Sequence, residues 1–123
     1  MDMRISDAEL DVMEALWAAD QALTATDIAD RVGSGRGWSL ATVKTMLSRL
    51  VAKGAITHQE DGRRFLYSPA FERDAYVSRE SRRLVDRLFD GRLSPLVAQL
   101  AEEDALDDDD IAAIEALLKE LKS

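Results

Sequence analysis

The chain has no cysteine, a single histidine and two prolines in 123 residues. None of its apolar runs approaches the roughly 20 residues that a membrane-spanning helix needs. Without thiols there are no disulfides and no thiolate metal sites, a composition that suits a reducing cytosol. His58 has no second histidine with which to share a metal ion and reads as an ordinary strand residue. No Ser/His/Asp or Cys/His set, phosphate-cradling glycine loop or catalytic carboxylate pair stands at a recognisable spacing. Neither catalysis nor a metal or other cofactor is expected. Met1–Ser6 carries Asp2 and Arg4 rather than the charged-then-apolar pattern of a secretory leader. The expectation is a cytoplasmic protein without membrane insertion.

What is present is a globular composition, 46% apolar and 33% charged. The length accommodates one ordinary domain plus a smaller appendage. The net charge of −8, taken as a total, opposes a nucleic-acid partner. It is unevenly spread, however. Arg36–Arg64 holds six cations (Arg36, Lys44, Arg49, Lys53, Arg63, Arg64) against Glu60 and Asp61, whereas residues 70–123 hold 14 carboxylates against 8 cations. Charges farther off than the Debye length, about 8 Å at physiological salt, are largely screened. Local sign outweighs the total.

The segment Trp38–Tyr67, WSLATVKTMLSRLVAKGAITHQEDGRRFLY, is the most informative. Leu40, Val43, Leu47, Leu50 and Val51 recur at helical spacing and define one apolar face. The opposite face holds Thr42, Lys44, Thr45, Ser48 and Arg49, all hydroxyls and cations. Ser39 is the expected N-cap and Gly54 the C-terminal stop, with Lys53 in the last turn. Ile56–Glu60 and Arg64–Ser68 read as short strands around Asp61-Gly62, a two-residue hairpin signal. Upstream, the capping box Ser6-x-x-Glu9 opens a helix expected over Asp7–Ala19, with Leu10, Met13, Leu16 and Trp17 facing inward. Thr24-x-x-Asp27 opens a second helix, which buries Ile28, Ala29 and Val32, and Gly33–Gly37 reads as a break after it. Trp17 and Trp38 are expected core anchors.

Pro69 ends the wing because it offers no N–H to a ladder. Beyond it a helix is expected over Glu72–Phe89, closed by Gly91, then a short one capped by Ser94 with Pro95 at its first position. The acidic run Asp107–Asp110 precedes a last helix. That run lacks the loop glycine and downstream glutamate of a calcium loop and reads as favourable charge at a helix N-terminus. Three striped helices in only ~50 residues make a poor self-contained core, and an identical chain is the commonest partner. The expected dimerisation residues are Tyr76, Val77, Leu84, Leu88, Leu96, Leu100, Ile111, Ile114 and Leu118. The predicted fold class is mostly α. Residues 1–69 form a winged helix-turn-helix (three helices plus a β-hairpin wing), a DNA-binding domain, and residues 70–123 form an α-helical dimerisation domain.

In such a dimer two recognition helices enter successive major grooves about 34–36 Å apart, and positions near the helix N-terminus reach base edges. Thr42 and Thr45, in line with Arg49, offer methyl and hydroxyl groups to bases. Lys44 and Ser48 flank that line and suit the backbone; Arg49 suits guanine or phosphate. Strand alternation points one of Arg63 and Arg64 toward DNA, and Arg63 is favoured. A solvated polar face is the plain alternative for each residue taken singly. For the whole chain the competing class is a winged-helix protein–protein module without DNA binding.

Four segments, ISDAELDVMEALW (Ile5–Trp17), TVKTMLSRLVAKGAI (Thr42–Ile56), EDGRRFLYSP (Glu60–Pro69) and YVSRESRRLVDRLFDG (Tyr76–Gly91), taken in order, resemble the penicillinase-repressor (BlaI/MecI/CopY-type) family of bacterial winged-helix transcriptional repressors. The resemblance implies a homodimer that blocks transcription from a palindromic operator, with the TVKT stretch making operator contacts. It also implies a signal, in several members a β-lactam sensed by a membrane-bound sensor protease, after which the repressor is cut in its dimerisation region. The bond at that position here is Gln99–Leu100, where cleavable members carry Asn-Phe, so the match departs there. The copper-responsive branch binds metal through paired C-terminal cysteines, which this chain lacks.

Overall fold

The computed structural model describes residues 4–123, Gly33 and Ser34 by their backbone alone, so the charged start read at Met1–Ser6 falls partly outside the described residues. The chain divides into two compact units, Met1–Val77 and Ser78–Ser123. The first contains α1 (Asp7–Ala18), α2 (Ala25–Arg36), α3 (Leu40–Lys53), the strands β1 (Ile56–Asp61) and β2 (Arg64–Pro69), and the start of α4 (Arg73–Phe89). The capping box closes as expected: Ser6 Oγ accepts from the Glu9 N–H at 3.1 Å and Glu9 Oε1 accepts from the Ser6 N–H at 2.9 Å. Val12, Met13 and Leu16 of α1, Ile28 and Val32 of α2, and Val43, Leu47 and Leu50 of α3 meet in one core with Leu23, Ala55 and Ile56. Each of the larger side chains contributes about 1.5–3 kcal/mol by leaving water, enough to hold three short helices that would be marginal alone.

The break expected over Gly33–Gly37 is narrower than the glycines suggest. α2 continues to Arg36, and only Gly37, at φ +67°, turns the chain. Tertiary contacts outweigh the poor helix propensity of glycine here: Arg36, in the last turn, pairs with Asp11 of α1, and its guanidinium lies 5.0 Å from the Trp38 ring centroid. Trp38 and Trp17 are both half-buried against the core.

The wing also shifts by one residue. Asp61 pairs with Arg64, so the two turn residues are Gly62 and Arg63 rather than Asp61 and Gly62. Gly62 alone has positive φ, at +67°, the first central position where a hairpin turn of this kind needs glycine. On its other edge β2 is joined by Leu23, through Leu23 N–H to Tyr67 O at 3.0 Å and Tyr67 N–H to Leu23 O at 2.7 Å. This bridge ties the wing to the segment that leads into α2.

The first unit extends past Pro69. The Trp17 Nε1–H donates to the Phe71 carbonyl at 2.9 Å, and the Phe71 and Tyr76 rings pack around the indole. Tyr76, expected on the dimerisation surface, is buried here instead, because Trp17 offers it a half-exposed aromatic face.

The second unit comprises the rest of α4 with α5 (Leu93–Glu102) and α6 (Asp108–Lys122). Gly91, at φ +80°, closes α4. Arg92, not Ser94, is the N-cap of α5, and it makes no side-chain cap bond. Pro95 therefore sits two residues deeper than expected, still in the first turn, where helix N–H groups have no partner to lose. Asp107 caps α6, accepting from the Asp110 N–H at 2.8 Å, which accounts for the acidic run without an ion. Within this unit no helix packs extensively on another, and Val85 is the one buried apolar side chain among the described residues. Val77, at the end of the first unit, and Leu84, Leu88, Leu100, Ile111 and Leu118 are exposed, with Leu96 and Ile114 half-buried. No helix of the described residues is long and apolar enough to cross a membrane.

Candidate nucleic-acid interface

α3 presents its polar face because the middle of its apolar face is committed to the core. Val43, Leu47 and Leu50 are buried, which forces Ala41, Lys44, Thr45, Ser48, Arg49 and Ala52 outward in one continuous stripe at three- and four-residue spacing. Leu40, read with the apolar face, is exposed at the first turn. The helix starts sharply, with Ser39 Oγ accepting from the Thr42 N–H at 3.2 Å, and stops at Gly54, whose φ of +78° places it in the left-handed region.

The hydroxyls differ in what they have left to offer. Thr42 Oγ1 lies 3.1 Å from Ser39 Oγ and belongs to the cap, and the residue is half-buried. Thr45 Oγ1 donates back to the Ala41 carbonyl at 3.1 Å, which leaves its methyl group and an acceptor lone pair facing outward. Ser48 is exposed.

The cations differ as well. Arg36 is engaged by Asp11, Lys53 by Glu9, and Arg64 by Asp61 at 3.0 Å. Among the described residues Lys44, Arg49 and Arg63 form no ion pair, so the positive surface read from six cations rests on these three. Arg63 lies in the turn, so the alternation argument that separated it from Arg64 does not apply. Both arginines line a single cleft of about 510 Å³ with Lys44 of α3, the first turn of α2 (Thr24–Asp27), Phe65 and Tyr67. Thr24, Thr26 and Phe65 were not legible as part of this site in the sequence, because Thr24 and Thr26 lie far from α3 along the chain and Phe65 carries no charge. Asp27 is the one carboxylate of the cleft. The Thr24 backbone N–H and hydroxyl hold it below the ordinary aspartate range, with smaller help from Arg31 and Arg64.

The far end of α3 is pinned. Lys53 Nζ donates to Glu9 Oε1 at 2.6 Å and to the Arg4 carbonyl at 2.8 Å. Glu9 is only 2% exposed, and its Oε2 accepts no hydrogen bond among the described residues. Burial pushes this carboxyl up, but hydrogen bonds from Lys53 and from the Ser6 N–H and hydroxyl more than offset it, leaving it below the usual glutamate range.

The family model described as penicillinase repressor matches residues 5–120. The chain is 32% identical over 120 residues to the penicillinase repressor of Bacillus licheniformis, covering 98% of this chain and 93% of that protein. It is also similar to the solved DNA-binding domain of the repressor BlaI, with 36% identity, 60% of this chain and 89% of that one covered, and a TM-score of 0.54. A third similarity is to monomeric Bacillus licheniformis BlaI in complex with the blaP half-operator, with 37% identity, 59% and 88% coverage and a TM-score of 0.51.

Proposed function

Because the chain belongs to the penicillinase repressor family, we propose that it is a DNA-binding transcriptional repressor acting as a homodimer on a palindromic operator. The observation that carries this reading is the gathering of Lys44, Arg63 and Arg64 around one cleft beside the exposed stripe of α3. The relative solved with its half-operator supports the same ligand. The stripe enters the major groove. Thr45 meets base edges, and Thr42 near the N-terminus adds at most its methyl group because its hydroxyl is taken by the Ser39 cap. Lys44 and Ser48 hold the backbone, and Arg49 takes guanine or phosphate. Arg63 takes phosphate beside the groove, and Arg64 contributes less because Asp61 already neutralises it.

Dimerisation is supported by the second unit. Leu88 and Leu117, each 60% exposed, and Leu121, 81% exposed, stand largely open to solvent, and a second copy offers the same faces in return. We place residues 1–69, with the Trp17-anchored extension to Val77, as the reader, the remainder as the dimeriser, and the repressor in the cytoplasm. A membrane sensor protease is the partner the family resemblance supplies. Its matching bond, Gln99–Leu100, lies inside α5, so cutting there requires that helix to open locally.

A mobility-shift titration against the promoter DNA beside the gene, repeated at rising salt and followed by footprinting, tests the proposal. Steeply salt-dependent binding with a dyad-symmetric footprint is expected. Absent or salt-insensitive binding would sink it and favour a protein–protein module.

A further inference from the structure

The core-facing side of the wing continues beyond the core. His58 stands opposite Tyr67, and Glu60 opposite Phe65, so by strand alternation these four share a face with buried Ile56. Along that face burial falls from Ile56 through half-buried Tyr67 to Phe65, which is 41% exposed. The Phe65 ring is not loose. The centroid of the His58 ring lies 4.9 Å from it and that of Tyr67 6.4 Å, both tilted. A ring already held in place loses little entropy on meeting a partner. Phe65 lines the same cleft as Lys44 and Arg63.

We infer that Phe65 is a further DNA-contacting residue, packing against deoxyribose of the strand whose neighbouring phosphates Lys44 and Arg63 hold. The inference rests on the repressor reading above. Each nucleotide of a duplex strand presents an anionic phosphate next to a largely apolar sugar. An apolar ring beside two unpaired cations matches that alternation. Glu60, directly across from Phe65 and exposed, repels phosphate from its own side of the ring, so sugar is the surface the ring meets. This contact adds affinity without releasing counterions, unlike the lysine and arginine contacts around it.

The test is operator binding by the full chain across a salt series, for wild type, Phe65→Ala, Phe65→Leu and Arg63→Ala. Phe65→Ala should weaken binding about tenfold at every salt concentration, with the slope of log K against log salt unchanged. Phe65→Leu should recover part of the loss, and Arg63→Ala should reduce the slope by about one. Two results overturn the inference. One is Phe65→Ala binding as tightly as wild type. The other is Phe65→Ala losing a unit of slope itself, which would mean that the ring merely holds Arg63 in position. Wild type that binds no duplex at all defeats the repressor reading and this inference together, whereas tight wild-type binding with a neutral Phe65→Ala defeats the inference alone.

Discussion

At Lys44 the side chain offers a point charge, and at Thr45 a methyl group and a lone pair, so replacing each by alanine removes a different kind of contact. Lys44→Ala should weaken operator and random DNA alike and lower the salt slope by about one. Thr45→Ala should instead narrow the gap between operator and random DNA, by roughly 1–3 kcal/mol per affected base pair. Competition titrations on both DNAs read the two effects apart, and equal losses for Thr45→Ala would remove it from the base-reading set. Glu9 yields a pH prediction. Its carboxyl is held below the ordinary range in the folded chain, so its stabilisation is complete above the unfolded value, about 4.3, and is lost as pH falls through the lowered folded value. Glu9→Gln should cost about 1–3 kcal/mol near neutral pH, at the lower end because Lys53 remains partly exposed. Urea titrations at several pH values should show the gap to wild type shrinking in acid. A gap independent of pH would mean that packing, not charge, makes Glu9 matter.

α3 is the element on which the interface depends, and both its ends are specified locally. Ser39 caps one end and Gly54 turns the chain at the other. No atom lies within 4 Å of where a Cβ would stand on Gly54, so Gly54→Ala meets no steric clash and pays only for its left-handed φ, about 1 kcal/mol. A thermal melt checks this, and an unchanged midpoint would show that the helix end relaxes without cost. The wing was legible as a hairpin from its Asp-Gly pair, but its exact turn was not, because Gly62 fits either central position and the register is settled by the pairing of Ile56 with Pro69 at the far end. α2 misled in the opposite direction. Its glycines signalled a break, whereas Asp11 of α1 and the Trp38 ring just beyond the helix hold Arg36 in its last turn.

The whole chain joins a reader with a locally cationic face to an acidic second unit whose leucines stand largely exposed. Leu118→Asp with Leu121→Asp should place charge in the proposed dimer interface. Sedimentation should then show a monomer, and operator affinity should fall by about 100-fold or more as the two half-sites cease to act together. A variant that remains dimeric would move the interface away from α6. Net charge at this scale is a poor guide to function: the −8 total conceals Lys44, Arg49 and Arg63, which form no ion pair among the described residues.

From sequence alone came the order and type of the elements, the capping boxes of α1 and α2, the polar stripe of α3 and the hairpin, because each depends on residues within a turn or two of one another. The family resemblance, too, was carried by contiguous segments. Folding alone decided which cations stay unpaired, that Tyr76 closes over Trp17, that Thr42 is absorbed by its own cap, and that Phe65 faces the cleft of Lys44. Thr42 and Arg64 find their partners three residues away, but which of several rotamers each adopts is set by the fold. The others depend on partners distant along the chain, and a carboxylate or an indole reveals its neighbour only once packing has brought the two together.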